Sequence, residues 1–168
     1  MSRAVLDAAF GQVVETTAKN VDKLGFRRQG SILRVIRQGN AGIIEFQKST
    51  KNTSEKILFT VNLAVICGAL LEPDQPSLEK ARSTDAHLRQ RIGMLMPGRP
   101  DQWWEISEAV AVGALASEVS EVIANVGAPY VAHYLDVDEL IALWESGKSP
   151  GLTETQRVRC LEQLKSQR

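Results

Sequence analysis

Cysteine is almost missing from this chain: Cys67 and Cys160 are the only two, far apart and without the C-x-x-C spacing of a metal or redox motif. That scarcity excludes a disulfide-dense secreted scaffold. Reduced thiols in a reducing compartment are the expectation, with a single bridge as the alternative. Net charge is missing too, since 20 Lys and Arg offset 20 Asp and Glu. The whole molecule therefore has no long-range field to draw it to nucleic acid or an anionic membrane, although local patches remain. No apolar run approaches the roughly 20 residues that span a bilayer. Asp7 and Glu15 interrupt the N-terminal apolar pattern where the core of a signal peptide would lie. A cytoplasmic location without membrane contact is expected. No GxGxxG, GxxxxGK[ST] or GxSxG string occurs, which leaves dinucleotide, P-loop and hydrolase readings without support, and no cofactor is implied.

What is present is periodicity. The 168 residues, 43% of them hydrophobic, suffice for one domain over 1–168 that buries its core without disulfides or metal. From Ser2 to Leu24, apolar residues at Val5, Leu6, Ala9, Phe10, Val13, Val14, Val21 and Leu24 follow helical spacing, with Ser2 as cap and Gly25 as terminator. Alternation then begins. Leu33 and Val35 oppose Ile32, Arg34 and Ile36; Gly39, Asn40 and Gly42 supply a turn; Ile44 and Phe46 oppose Ile43, Glu45 and Gln47. In the third run Ile57, Phe59, Val61, Leu63 and Val65 share one face while Thr60 and Asn62 take the other, and this strand should be central. Glu72 to Thr84 reads as a surface loop with a short helical turn from Ser77. A fourth strand is predicted over His87–Leu95 and a short fifth over Trp103–Ile106. Helical spacing returns over Ser107–Val126, ended by Gly127 and Pro129, and capping patterns at Asp136 and Thr153 open two more helices. The fold class expected is α+β: an N-terminal helix, an antiparallel sheet of about four to six strands, and C-terminal helices packed on one face.

The order GFRRQG, IIEFQKS, FTVNLAV, RIGML and DQWWEI resembles the bacterial domain-of-unknown-function family numbered 4304, over roughly Leu24 to Ile106. Ala64 stands where a small Gly is looked for after the Asn-Leu pair of the third strand, which affects only local backbone freedom. The resemblance implies a bacterial, single-domain protein. It supplies no catalytic residue.

With Phe59, Val61 and Leu63 turned toward the helices, the opposite sheet face collects Glu45, Gln47, Thr60, Asn62, Arg89 and Arg91, with Arg34 and His87 as neighbours. Arginine forks bind carboxylate or phosphate bidentately and amides orient such a group, so Arg34, Gln47, Asn62, Arg89 and Arg91 are the candidate binding residues. The competing reading is an ordinary solvated face. Trp103 and Trp104, adjacent on a strand, must point to opposite faces; either one exposed would mark a partner site. Arg27, Arg28, Arg34 and Arg37 with Lys48 and Lys51 make a locally basic region, but Phe26, Phe46 and Phe59 sit in apolar patterns rather than among those charges, so nucleic acid is disfavoured.

His87 and His133 stand alone and neither cysteine has a nearby ligand partner, so no metal site is expected. Cys67 ends an apolar strand, where an inert thiol is usual, although sequence distance leaves a Cys and His pair open. Asp136, Asp138 and Glu139 are explained by helix capping. The function expected is non-catalytic binding of a protein partner through the mixed sheet face and the Glu72 to Thr84 loop, as an adaptor, regulator or immunity-type protein. The alternative is an enzyme or small-ligand sensor that grips an anionic group on the polar sheet face.

Overall fold

Ser2 opens the first helix by accepting the Val5 N–H at 3.3 Å on its hydroxyl. The computed structural model describes residues 1–168. Along them run α1 (Arg3–Val21), β1 (Arg27–Gln29), β2 (Ile32–Arg37), β3 (Asn40–Lys48), β4 (Lys56–Cys67), β5 (Leu88–Arg91) and β6 (Trp104–Ser107). Four helices follow: α2 (Val112–Val122), α3 (Ala128–Tyr134), α4 (Val137–Glu145) and α5 (Glu154–Ser166). The fold is α+β, with an N-terminal helix, a six-stranded antiparallel sheet and C-terminal helices.

The sheet runs β1-β2-β3-β4-β5, and β6 also pairs with β4. Strand β4 is central. One edge carries β3 from Phe59 to Cys67; the other is divided between β5, opposite Asn62–Val65, and β6, opposite Lys56–Phe59. Period-two alternation sends Phe59, Val61, Leu63 and Val65 under the helices, where all four are fully buried. There Phe10 of α1 meets Phe46 and Phe59 edge-on at 6.3 and 5.5 Å, and Phe59 stacks on Trp104 at 5.7 Å.

Several local expectations are corrected. The β2–β3 turn consists of Gln38 and Gly39 alone, both at positive φ, the conformation that matches strand twist in a two-residue hairpin. Asn40 and Gly42 lie in β3. A Cβ on Gly42 would stand 2.5 Å from a Val131 methyl, so this glycine lets α3 approach the sheet. Residues Arg27–Gln29, outside the predicted strands, pair with β2. Strand β5 stops at Arg91, and Ile92–Leu95 turn into a 3₁₀ helix. Nor does the chain leave the helix at Gly127 and Pro129: one π turn, Ile123–Gly127, joins α2 to α3, and Pro129 follows directly on that wider turn as the second residue of α3.

The largest correction concerns the second sheet face. The segment Gly68–His87, a strap between β4 and β5, crosses it and seals half of it. Ala81, fully buried, joins Ile32, Ala41, Ile43, Ala64 and Ile66 in a separate apolar cluster flanked by Leu71, Leu78 and Ala86. Only the Glu45, Gln47 and Asn62 end of that face stays polar.

Candidate functional site

A groove of about 280 Å³ occupies the uncovered end, lined by Glu45, Gln47, Asn62, Arg82, Ser83, Thr84 and Arg89. Strand register builds its floor: Glu45 of β3 stands opposite Asn62 of β4, and Asn62 opposite Arg91 of β5. Asn62 is 3% exposed yet surrounded by polar neighbours, and its amide donates to Gln47 Oε1 at 2.7 Å. That bond orients both amides and leaves the Gln47 Nε2 hydrogens directed to no protein acceptor.

Glu45 is 5% exposed and forms the wall toward the strap. Its Oε1 accepts from Arg82 Nε at 3.0 Å and from a second Arg82 nitrogen, and its Oε2 accepts the Ser83 backbone N–H at 3.1 Å. Burial acts to raise the Glu45 pKa. The Ser83 hydroxyl, Arg82 and the Ser83 amide more than offset it, so the carboxyl group is held below its usual range. Arg89 is half-buried at the opposite lip, and its guanidinium has no carboxylate within 4.0 Å and no hydrogen-bond partner in the protein.

The other sequence-predicted residues divide. Gln47, Asn62 and Arg89 line the groove together. Arg91, next along the same face of β5, donates to Asp101 at 2.9 Å and lies over the Trp103 ring at 5.1 Å, while Trp103 Nε1 donates to the same carboxylate at 3.1 Å. Those bonds from Arg91 and then Trp103 draw the Asp101 pKa down. Trp103 remains half-exposed; Trp104 is buried against Phe59 and donates to Glu118 at 2.9 Å. Arg34 is not in the groove. It lies beneath the strap, 9% exposed, giving hydrogen bonds to the Leu78 and Ala81 carbonyls at 2.8 and 2.6 Å and to Gln29 at 3.3 Å. Arg82, Ser83 and Thr84 belong to the Glu72 to Thr84 loop expected beside the sheet face, but none was singled out, because a non-periodic loop carries no sign of which sheet residue it will reach.

A second cleft, of about 180 Å³, separates the strap from α5 and is lined by His87, Cys160, Arg159 and Gln156 among others. His87 Nδ1 accepts the Cys67 N–H at 3.0 Å, and burial lowers its pKa. Burial also pushes the Cys67 and Cys160 thiols up, so this pairing of residue types stabilises thiol rather than thiolate. No cluster of three His, Cys, Asp or Glu side chains is arranged to hold a metal ion, and no helix is long and apolar enough to cross a membrane.

No curated protein and no solved structure matches the chain. One family model does, and it aligns residues 17–133, from the end of α1 through all six strands to α3. The matched region holds every residue of the groove, and the chain accordingly belongs to the family described as a domain of unknown function, DUF4304.

Proposed function

We propose that this is a non-catalytic binding domain of a bacterial cytoplasmic protein, and that its groove holds a negatively charged group supplied by a partner or a small ligand. The carrying observation is Arg89. It is a half-buried cation on β5, without a carboxylate in salt-bridge reach, beside the Gln47 amide whose donors are free. Placing a guanidinium in a partly desolvated site without a carboxylate costs free energy that a bound anion would return. Both cysteines are free and buried, which fits a reducing compartment. Half-exposed Trp103, stacked on Arg91 at the groove's end, favours a partner protein as the source, since Trp anchors are common at interfaces.

The test is thermal unfolding of wild type and Arg89→Ala in acetate, glutarate, methyl phosphate and sulfate, each at constant ionic strength. At least one anion should raise the wild-type melting temperature by a few degrees, as saturating ligand does. Arg89→Ala should melt no lower than unliganded wild type and fail to respond. Equal responses from the two proteins, or none from either, would remove the reading.

A further inference from the structure

The groove carries two arginines and one carboxylate. Arg82 is spent on Glu45, which receives two of its nitrogens, so the only uncompensated charge is the single positive charge of Arg89. The remaining donors facing the groove are neutral: the Gln47 Nε2 hydrogens and the Thr84 hydroxyl. Glu45 is fixed in the ionised state by its bonds to Arg82 and Ser83, so a negative charge stands permanently in the wall.

A dianion entering this groove would have one cation to face, and its second charge would lie near Glu45. A monoanion leaves nothing unbalanced. A planar carboxylate also matches the fork of Arg89 and leaves an oxygen lone pair for the Gln47 amide. We infer that the groove is selective for a carboxylate over a phosphoryl dianion, with Arg89 supplying the charge and Gln47 and Glu45 setting the selectivity. This rests on the anion-binding reading above and narrows its ligand class. The carboxylate has two sources, a free organic acid or a glutamate or aspartate side chain of a polypeptide, and they share the same chemistry.

Isotope-edited NMR titration of the full chain at about pH 7.5, where a phosphate monoester is dianionic, separates the outcomes. The probes are acetate, glutarate, methyl phosphate and a capped tetraglutamate peptide, at matched ionic strength. Acetate or the peptide should shift the Gln47 and Asn62 side-chain amides with a Kd at least about fivefold below that of methyl phosphate, and Arg89→Ala should weaken the carboxylates roughly tenfold or more. Tighter binding of the peptide than of glutarate identifies a polypeptide source, and the reverse a free acid; either supports the inference. Gln47→Lys, which raises the free charge to two, should reverse the preference toward methyl phosphate. A reversed preference is a readout that mere loosening of the groove would not produce. Methyl phosphate binding wild type as tightly as the carboxylates, with Arg89 dependence, would overturn carboxylate selectivity and leave anion binding standing. No Arg89-dependent shift from any probe would overturn both.

Discussion

Two residues of like appearance in the sequence, Arg34 and Arg89, end in opposite roles, and the difference is set by what stands above each. Arg34 lies in the half of the face that the strap covers, so one of its nitrogens is taken by the Leu78 and Ala81 carbonyls and another by Gln29; Arg89 lies beyond the strap and keeps its donors. Glu45 sits on the boundary. Its carboxyl group titrates near 4.5 in an ordinary setting and lower in the folded protein, where burial is outweighed by Ser83 and Arg82. The native state thus holds the proton more weakly than the unfolded chain. The associated stability is complete above 4.5 and disappears as the pH falls through the lower folded value. Glu45→Gln should therefore cost about 1–2 kcal/mol at neutral pH, a modest figure because Arg82 is largely exposed and its charge is screened. Urea unfolding of both proteins across the acid range checks this. The gap between them should close toward low pH, and a gap that persists unchanged would show that ionised Glu45 does not hold the strap.

At the scale of elements, the alternation was readable where the second face stays polar, at Glu45 to Gln47 and Thr60 to Asn62, and it fades where Ile32, Ala41, Ile43, Ala64 and Ile66 are packed beneath the strap. The central place of β4 and the inward turn of Phe59 and Val61 followed from it. The capping box at Thr153 was equally plain, since both its hydrogen bonds are local, between Thr153 and Gln156. Long-range contacts were not visible. Nothing within Arg27–Gln29 announces pairing with β2, and nothing in the strap announces that Ala81 will be sealed beneath it; such docking is decided by residues distant in sequence. The same limit applied to the groove. Its sheet residues, Gln47, Asn62 and Arg89, were legible from strand parity, while the loop was legible only as a segment and not through Arg82, Ser83 and Thr84 individually. The anchoring itself is testable through Arg34, whose bonds to Leu78 and Ala81 bridge strap and sheet. Arg34→Ala should leave those carbonyls unpaired, at a cost of about 1–3 kcal/mol per buried group left without a partner. Limited trypsin digestion under native conditions should then cut after Lys80 and Arg82 several-fold faster than in wild type, with β2–β4 still protected. Unchanged cleavage there would mean that the apolar cluster around Ala81 holds the strap without help.

For the whole molecule, the balance of 20 basic against 20 acidic residues leaves the field of any patch to local pairing. Three basic residues of the β1–β3 side are matched by carboxylates, and a fourth is held by a backbone carbonyl. Arg27 meets Asp22 at 2.8 Å, Arg28 meets Glu15 at 2.8 Å, and Lys48 meets Asp7 at 2.7 Å, while Arg37 donates to the Leu24 carbonyl at 2.9 Å. Arg28 and Lys48 hold the pKa values of Glu15 and Asp7 down, so these pairs remain ionised at neutral pH. Nucleic-acid affinity needs several uncompensated cations on one surface, because it arises largely from release of counterions from the phosphate chain. Here each carboxylate would compete with a phosphate for the same arginine, and the ring of Phe10 is covered by Lys48 rather than open to a base. The protein should therefore leave a heparin column at or below about 0.15 M salt, and should not retard duplex DNA at that ionic strength. Charge reversal of the matching acids offers the contrast: Asp7→Lys with Glu15→Lys and Asp22→Lys changes the net charge by six and unmasks the three basic partners together. The triple variant should elute later by a clear margin. Strong retention of the wild type would show that these pairs do not quench the patch, and would return nucleic acid to the class of partners that the β1–β3 surface can take.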